Sequence, residues 1–154
     1  MRGSRAIATA AVVVAALAAC SSSATSITPP KPSAAAASAC RSLDAQLPGR
    51  VDGTASSSTT PQSPFTAAWG DIVLTCGGSA PQVASDAQLF TIEGVDWFPE
   101  RLPQGGTRFS TVGRVATVTV LVPATRQPEA NALVDLGPAV RSTVSTTPTT
   151  ATTE

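Results

Sequence analysis

Apolar and polar residues change period several times along this chain, and each change predicts an element. An apolar stretch, Ala6 to Leu17, opens it behind Arg2 and Arg5. Residues 21–38 then hold only Ser, Ala, Thr and Pro apart from Lys31 and Ile27, too little apolar bulk to order a segment. Cys40, Leu43 and Leu47 share one helical face, which predicts a short helix over 38–47 that Pro48 ends. After Val51, a Ser- and Thr-rich run to Pro64 reads as a loop.

Strict alternation begins at 71–76, with Ile72, Leu74 and Cys76 on one face and Asp71, Val73 and Thr75 on the other. Two further strands, 89–93 and 95–98, flank Gly94, a residue suited to a bulge or bend. Pro103, Gly105 and Gly106 make a hairpin turn into a returning strand over 108–112. Gly113 permits a tight connection to the clearest strand, 115–122. There Ala116, Val118, Val120 and Val122 share a face, and Thr117 and Thr119 interrupt the other, so one face packs and one meets water. Leu133, Leu136, Val140 and Val144 recur at helical spacing, which predicts a last helix over 128–144 with Pro128 in its first turn. Pro138 is expected to kink or split that helix after Leu136. Strands in the middle and helices at the ends predict an α+β fold, a small antiparallel sheet with N- and C-terminal helices packed on one face.

The opening apolar stretch is too short to span a bilayer, and Leu17-Ala18-Ala19 leads small residues into Cys20. This resembles the signal peptide of a bacterial lipoprotein. The resemblance implies that residues 1–19 are removed, and that Cys20 becomes the first mature residue with a diacylglycerol on its sulfur and an acylated amine. At about 0.8 kcal/mol per buried CH₂, two or more chains hold a protein durably on a membrane. Residues 20–38 are then a lipidated, disordered tether, 39–145 one domain, and 146–154 a disordered, Thr-rich tail. The expected location is extracytoplasmic, lipid-anchored to the cell membrane.

Charge narrows the partners. Ten basic residues face ten acidic ones, and without Arg2 and Arg5 eight remain, scattered along the chain. That excludes nucleic acid as an expected partner. With Cys20 acylated, Cys40 and Cys76 form an even pair in an oxidising compartment, where a disulfide is the default reading and two buried thiols the alternative. Two sulfurs without histidine fall short of a metal site.

The chain contains no histidine and no tyrosine, and its single lysine, Lys31, lies in the tether. Ser-His and Cys-His nucleophile pairs and histidine zinc sites are thereby excluded. Gly77-Gly78 and Gly105-Gly106 lack the spacing of a phosphate loop. Glu93 and Asp96 are the nearest carboxylate pair for acid and base work on a sugar, but three apart in a strand they project to opposite faces unless Gly94 brings them round. Asp71, Glu93 and Asp96 do not supply the six oxygens calcium takes. No catalytic residue, metal ligand or cofactor is assigned. Trp69 and Trp97 lie beside Asp71 and Asp96, as rings in recognition surfaces do. In a chain with two Trp and four Phe, the competing reading is core filler whose indole N–H finds a buried partner. Arg114, after Gly113, is positioned to pair with Asp71 or Asp96. These five residues are the candidate binding set.

Ala68-Trp69-Gly70-Asp71, Leu74, Cys76-Gly77, Pro81, Val95-Asp96-Trp97, Gly113-Arg114 and the strand ending at Pro123 together resemble the actinobacterial domain-of-unknown-function 3515 family. Its members are small secreted or membrane-attached envelope proteins. The likeness spans roughly residues 40–144 and implies the pairing of Cys40 with Cys76; it brings no activity, ligand or catalytic residue. The expected function is that of a monomeric, non-enzymatic envelope lipoprotein that binds a protein or cell-wall partner. A carrier of a small apolar ligand or lipid is the alternative, and an envelope hydrolase using Glu93 and Asp96 a weaker third.

Overall fold

In the computed structural model, which describes residues 24–148, the alternating segments form the centre of a sheet. Its six strands are β5 (Thr66–Trp69), β6 (Ile72–Gly78), β7 (Phe90–Ile92), β8 (Val95–Arg101), β9 (Thr107–Thr111) and β10 (Thr117–Val122). They lie in the order β5-β6-β10-β9-β8-β7, and every neighbouring pair is antiparallel. The periodicity of β6 and β10 is realised in burial: Ile72, Leu74, Cys76, Val118, Val120 and Val122 all face the core. Register carries that face across the sheet, because Val120 opposes Phe109 and Thr111 opposes Trp97.

Two helices, α1 (Ala34–Asp44) and α2 (Asn131–Thr143), complete an α+β fold. Their buried residues, Cys40 and Leu43 from α1 and Leu133, Leu136 and Val140 from α2, join one cluster with the inward side chains of the sheet. A disulfide between Cys40 and Cys76 ties α1 to β6, with 5.6 Å between the Cα atoms. The helices are not strictly terminal, since a two-residue strand, β1 (Thr25–Ser26), precedes α1.

The ordered part starts earlier than the composition indicated. Ser33 caps α1, its hydroxyl accepting the Ala36 N–H at 3.3 Å, so residues 34–38, assigned to the tether, belong to the helix. Alanine favours the helix, and Ala36 and Ala37 are small enough to pack against the core. β1 pairs in parallel with β4 (Thr59–Thr60), the Thr25 N–H donating to the Ser58 carbonyl at 2.9 Å. Tail residues are engaged too: Thr146 bridges to Arg114, and the Thr147 N–H donates to the Gly113 carbonyl at 2.9 Å. The remaining tether and tail residues, 20–23 and 149–154, lie outside the described ones.

The stretch read as a loop after Val51 holds a hairpin of β2 (Arg50–Val51) and β3 (Thr54–Ala55) around Asp52 and Gly53, both at positive φ. Asp-Gly is the sequence of such a two-residue turn, but strands of two residues show no alternation. A second turn of this kind joins β7 to β8. Glu93 and Gly94 have φ of 53° and 73°, so Gly94 makes a tight hairpin turn and not a bulge. β5 had no alternating signature, because both Ala68 and Trp69 are buried, one on each face. α2 runs through Pro138 unbroken and starts three residues later than its expected first turn. Pro138 stands on the exposed side of the helix with Val134, where water can satisfy the Val134 carbonyl that Pro138 cannot reach.

Candidate functional site

Several clefts indent the described surface; Trp69 borders one of the two largest, Trp97 neither, and both rings are buried. Trp69 is 1 % exposed and its indole N–H donates to the Pro48 carbonyl at 3.0 Å. Trp97 is wholly buried on the same side of the sheet, and its Nε1 has no partner among the described residues. Both rings serve as core filler, and the indole partner expected of a buried Trp is present for only one of them.

The charged candidates are dispersed. Asp71, at the turn between β5 and β6, accepts from Nε and Nη2 of Arg126 at 2.9 and 2.7 Å. Burial pushes its carboxyl up, but the Arg126 hydrogen bonds, its own backbone N–H and the Thr125 hydroxyl outweigh that and leave it below the ordinary carboxylate range. Arg126 also bonds the Thr54 hydroxyl at 2.8 Å and stands 3.8 Å from Asp52, so this set fastens the β2–β3 hairpin to the segment before α2. Asp96 is exposed on the helix-free face, where it accepts from the Thr91 hydroxyl at 2.6 Å. Arg114 forms an ion pair with neither Asp71 nor Asp96. Its guanidinium instead donates to the backbone carbonyls of Val144 and Gly94, tying the end of α2 to the β7–β8 turn.

Glu93 and Asp96 do not come together. Glu93 sits in the turn with its Cβ close against Gly137 of α2, on the helix side, while Asp96 faces away from the helices. Among the described residues no group of three His, Cys, Asp or Glu side chains converges on a metal-sized site. Cys20 lies outside the described residues.

A groove of about 560 Å³ lies where the strand register and the segment before α2 converge. Pro99 opposes Phe109, and Arg101 opposes Thr107, so these four side chains share the helix-side face of β8 and β9. Beyond Trp97 the ladder has ended on one side, since β7 pairs no further along β8, and Pro99 lies in the stretch unpaired on that side. That termination is why β8 tolerates a proline there. Residues 127–130, leading into α2, cross over this face and form one wall; Leu89, Phe90 and Ile92 form the other. The floor and rim are thus mainly apolar.

Apart from Thr91, whose hydroxyl bonds Asp96, the polar side chains of the groove form a single cluster. Glu129, 8 % exposed, accepts from the Thr107 hydroxyl at 2.5 Å, from Nη1 of Arg101 at 3.0 and 3.2 Å, and from the Gln127 amide at 3.3 Å. Every lone pair this carboxylate directs inward is met, as a buried charge requires. The Arg101 side chain, by contrast, is 80 % exposed. Nη1 is its only nitrogen with a partner among the described residues, so Nε and Nη2 present free donors to solvent. Sequence reasoning missed this cluster, because Arg101 and Glu129 are 28 residues apart and no local motif joins them.

The second cleft, about 530 Å³, is lined by short hydroxyl side chains between Ser56 and Thr66, with Leu47, Pro48 and the candidate residue Trp69 also bordering it. Several of those hydroxyls bond one another or nearby backbone, as Thr59 does Thr66 at 3.2 Å. Its lining mixes polar and apolar side chains about evenly, and Asp44 is the one charged group on it. No helix among the described residues is long and apolar enough to cross a membrane.

Fold and site together define a disulfide-linked α+β domain with one apolar groove and a fixed arginine at its end. The chain belongs to the family described as protein of unknown function (DUF3515), which matches residues 4–149. That match takes in the apolar N-terminal run as well as the domain, a wider span than residues 40–144. Neither a curated protein nor a solved structure matches the chain.

Proposed function

We propose that this protein is a non-enzymatic binding protein of an actinobacterial cell envelope, held on the membrane by lipid at Cys20, with its ligand in the groove between β7 and residues 127–130. One observation carries the binding reading. Of four large hydrophobic side chains exposed among the described residues, two, Leu89 and Phe90 at 39 % and 49 %, border that single groove. Concentrated apolar exposure beside a fixed polar group is the composition of small-molecule sites, and about 560 Å³ falls within their usual range. A non-catalytic role is supported by the absence of histidine from the chain and by the separation of Glu93 from Asp96. The anchor is supported by the run from Ala6 to Cys20.

Two measurements test it. Native mass spectrometry of the protein released from its own envelope should show a bound mass beyond the lipid on Cys20, and Phe90→Asp should remove that mass; identical ligand-free spectra for both proteins would sink the binding role. Metabolic labelling with a radioactive fatty acid should mark the wild type and not Cys20→Ala. An unlabelled wild type rules out the anchor. A protein partner is the second reading, favoured by the position of β7 at an unpaired sheet edge, whereas the opposite edge strand, β5, is covered by the bridge from Ser57 to Ala68.

A further inference from the structure

We infer that the groove takes a single-chain anionic amphiphile, its apolar chain along the floor and its terminal oxyanion on the free edge of Arg101. This rests on the reading of the groove as a ligand site, and adds the class of ligand. The nearly buried Glu129 carboxylate is costly to desolvate, and the four hydrogen bonds that offset this cost include two that hold one arginine nitrogen in place. Spending both carboxylate oxygens on Nη1 leaves the Nε and Nη2 edge of the same planar fork facing outward. That edge matches a carboxylate or phosphate in bidentate geometry.

Charge and shape agree with this assignment. Arg101 is the one cationic side chain lining the groove, and the one anionic side chain, Glu129, has its oxygens committed inward. Arg101 stands four residues along β8 from Trp97, the residue opposite Phe90, so the backbone positions of the apolar wall and the arginine are offset by about 13 Å along the strand. Ile92, Pro99 and Phe109 line the groove with them. An elongated apolar chain with a charge at one end fits that layout. A compact polar ligand would leave the wall wet, and a neutral chain would leave the arginine unmatched.

The full chain, held in phosphatidylcholine vesicles, is photolabelled with a diazirine-bearing palmitate, and the label is mapped by peptide mass spectrometry. Palmitate, hexadecyl phosphate and hexadecanol compete for the site. Label is expected on peptides containing Leu89 to Ile92 and Phe109. Both anionic competitors should outperform the alcohol by roughly tenfold, the order expected of a charge-assisted bidentate contact. The better of the two identifies the head group as carboxylate or phosphate. Arg101→Gln should abolish the difference between anion and alcohol. Arg101→Lys, which keeps a cation beside Glu129, should retain part of it. Phe90→Ser, at an exposed position, should weaken labelling regardless of competitor. Equal competition by the alcohol in the wild type, or an undiminished preference in Arg101→Gln, overturns the head-group assignment while leaving the groove as a ligand site. Label confined to other segments overturns the groove itself. Label displaced only by restoring other envelope proteins assigns the groove to a protein and overturns the proposal.

Discussion

Reducing the bond between Cys40 and Cys76 releases the tether between α1 and β6 without changing a single residue, so its effect is calculable from the structure alone. The sequence separation is 36 residues. In the chain-entropy treatment, closing a loop of that length removes about 4 kcal/mol of freedom from the unfolded chain at 25 °C. Set against the roughly 5–15 kcal/mol by which domains of this size are stable, the bond supplies a major share. With a urea slope of about 2 kcal/mol per molar, the unfolding midpoint should fall by roughly 2 M in excess reductant. Both sulfurs are almost wholly buried, so reduction of the native protein should be slow and should accelerate in urea. Circular dichroism of the oxidised and reduced chain across a urea series measures the shift directly. A midpoint change under about 0.5 M, at unchanged slope, would refute the loop-closure account and indicate an unfolded state already restricted in this region.

Trp69→Phe and Trp97→Phe remove similar surface but unequal hydrogen bonding, because only Trp69 has a partner, at Pro48; urea unfolding should find Trp69→Phe costlier by about 1 kcal/mol, and equal losses would contradict the assignment. Gly137→Ala should destabilise by about 1–3 kcal/mol despite alanine's better helix propensity, since its Cβ would lie 2.5 Å from the Glu93 Cβ; thermal unfolding should show that adding Glu93→Gly recovers most of the loss. Asp71 has its carboxyl held below the ordinary range, so its contribution is present above the unfolded carboxylate pKa and lost as pH falls through the lower folded value. Asp71→Asn should therefore lack that part of the acid destabilisation, which sets in as pH falls into and below the ordinary carboxylate range, and superimposable pH profiles for the two proteins would exclude it.

Legibility differed from element to element for physical reasons. β6 and β10 announce themselves because one face is buried and the other half-exposed, so the pleat is written into the residue types. β5 carries no such signal, since Trp69 is buried in the core on one face while Ala68, bridged to Ser57, is buried on the other. α1 was legible as a helix near Cys40, but its true start depends on a cap at Ser33 and on alanines whose burial needs the sheet beneath them. Of the proposed binding residues, Trp69, Asp71, Asp96, Trp97 and Arg114 each found a place in the core or in a local contact, and none of them lines the Arg101 groove.

What the amino-acid order determined unaided was local: the periods of the strands and helices, the cysteines available to pair, and the chemistries excluded by residue types the chain does not contain. Those properties depend on neighbours within a few positions. What tertiary structure alone decided was which distant residues meet. Arg101 and Glu129 become a unit only because the β8–β9 register and the path into α2 bring them to one face. A buried charge and its partner are selected by shared desolvation in three dimensions, a constraint with no period along the chain.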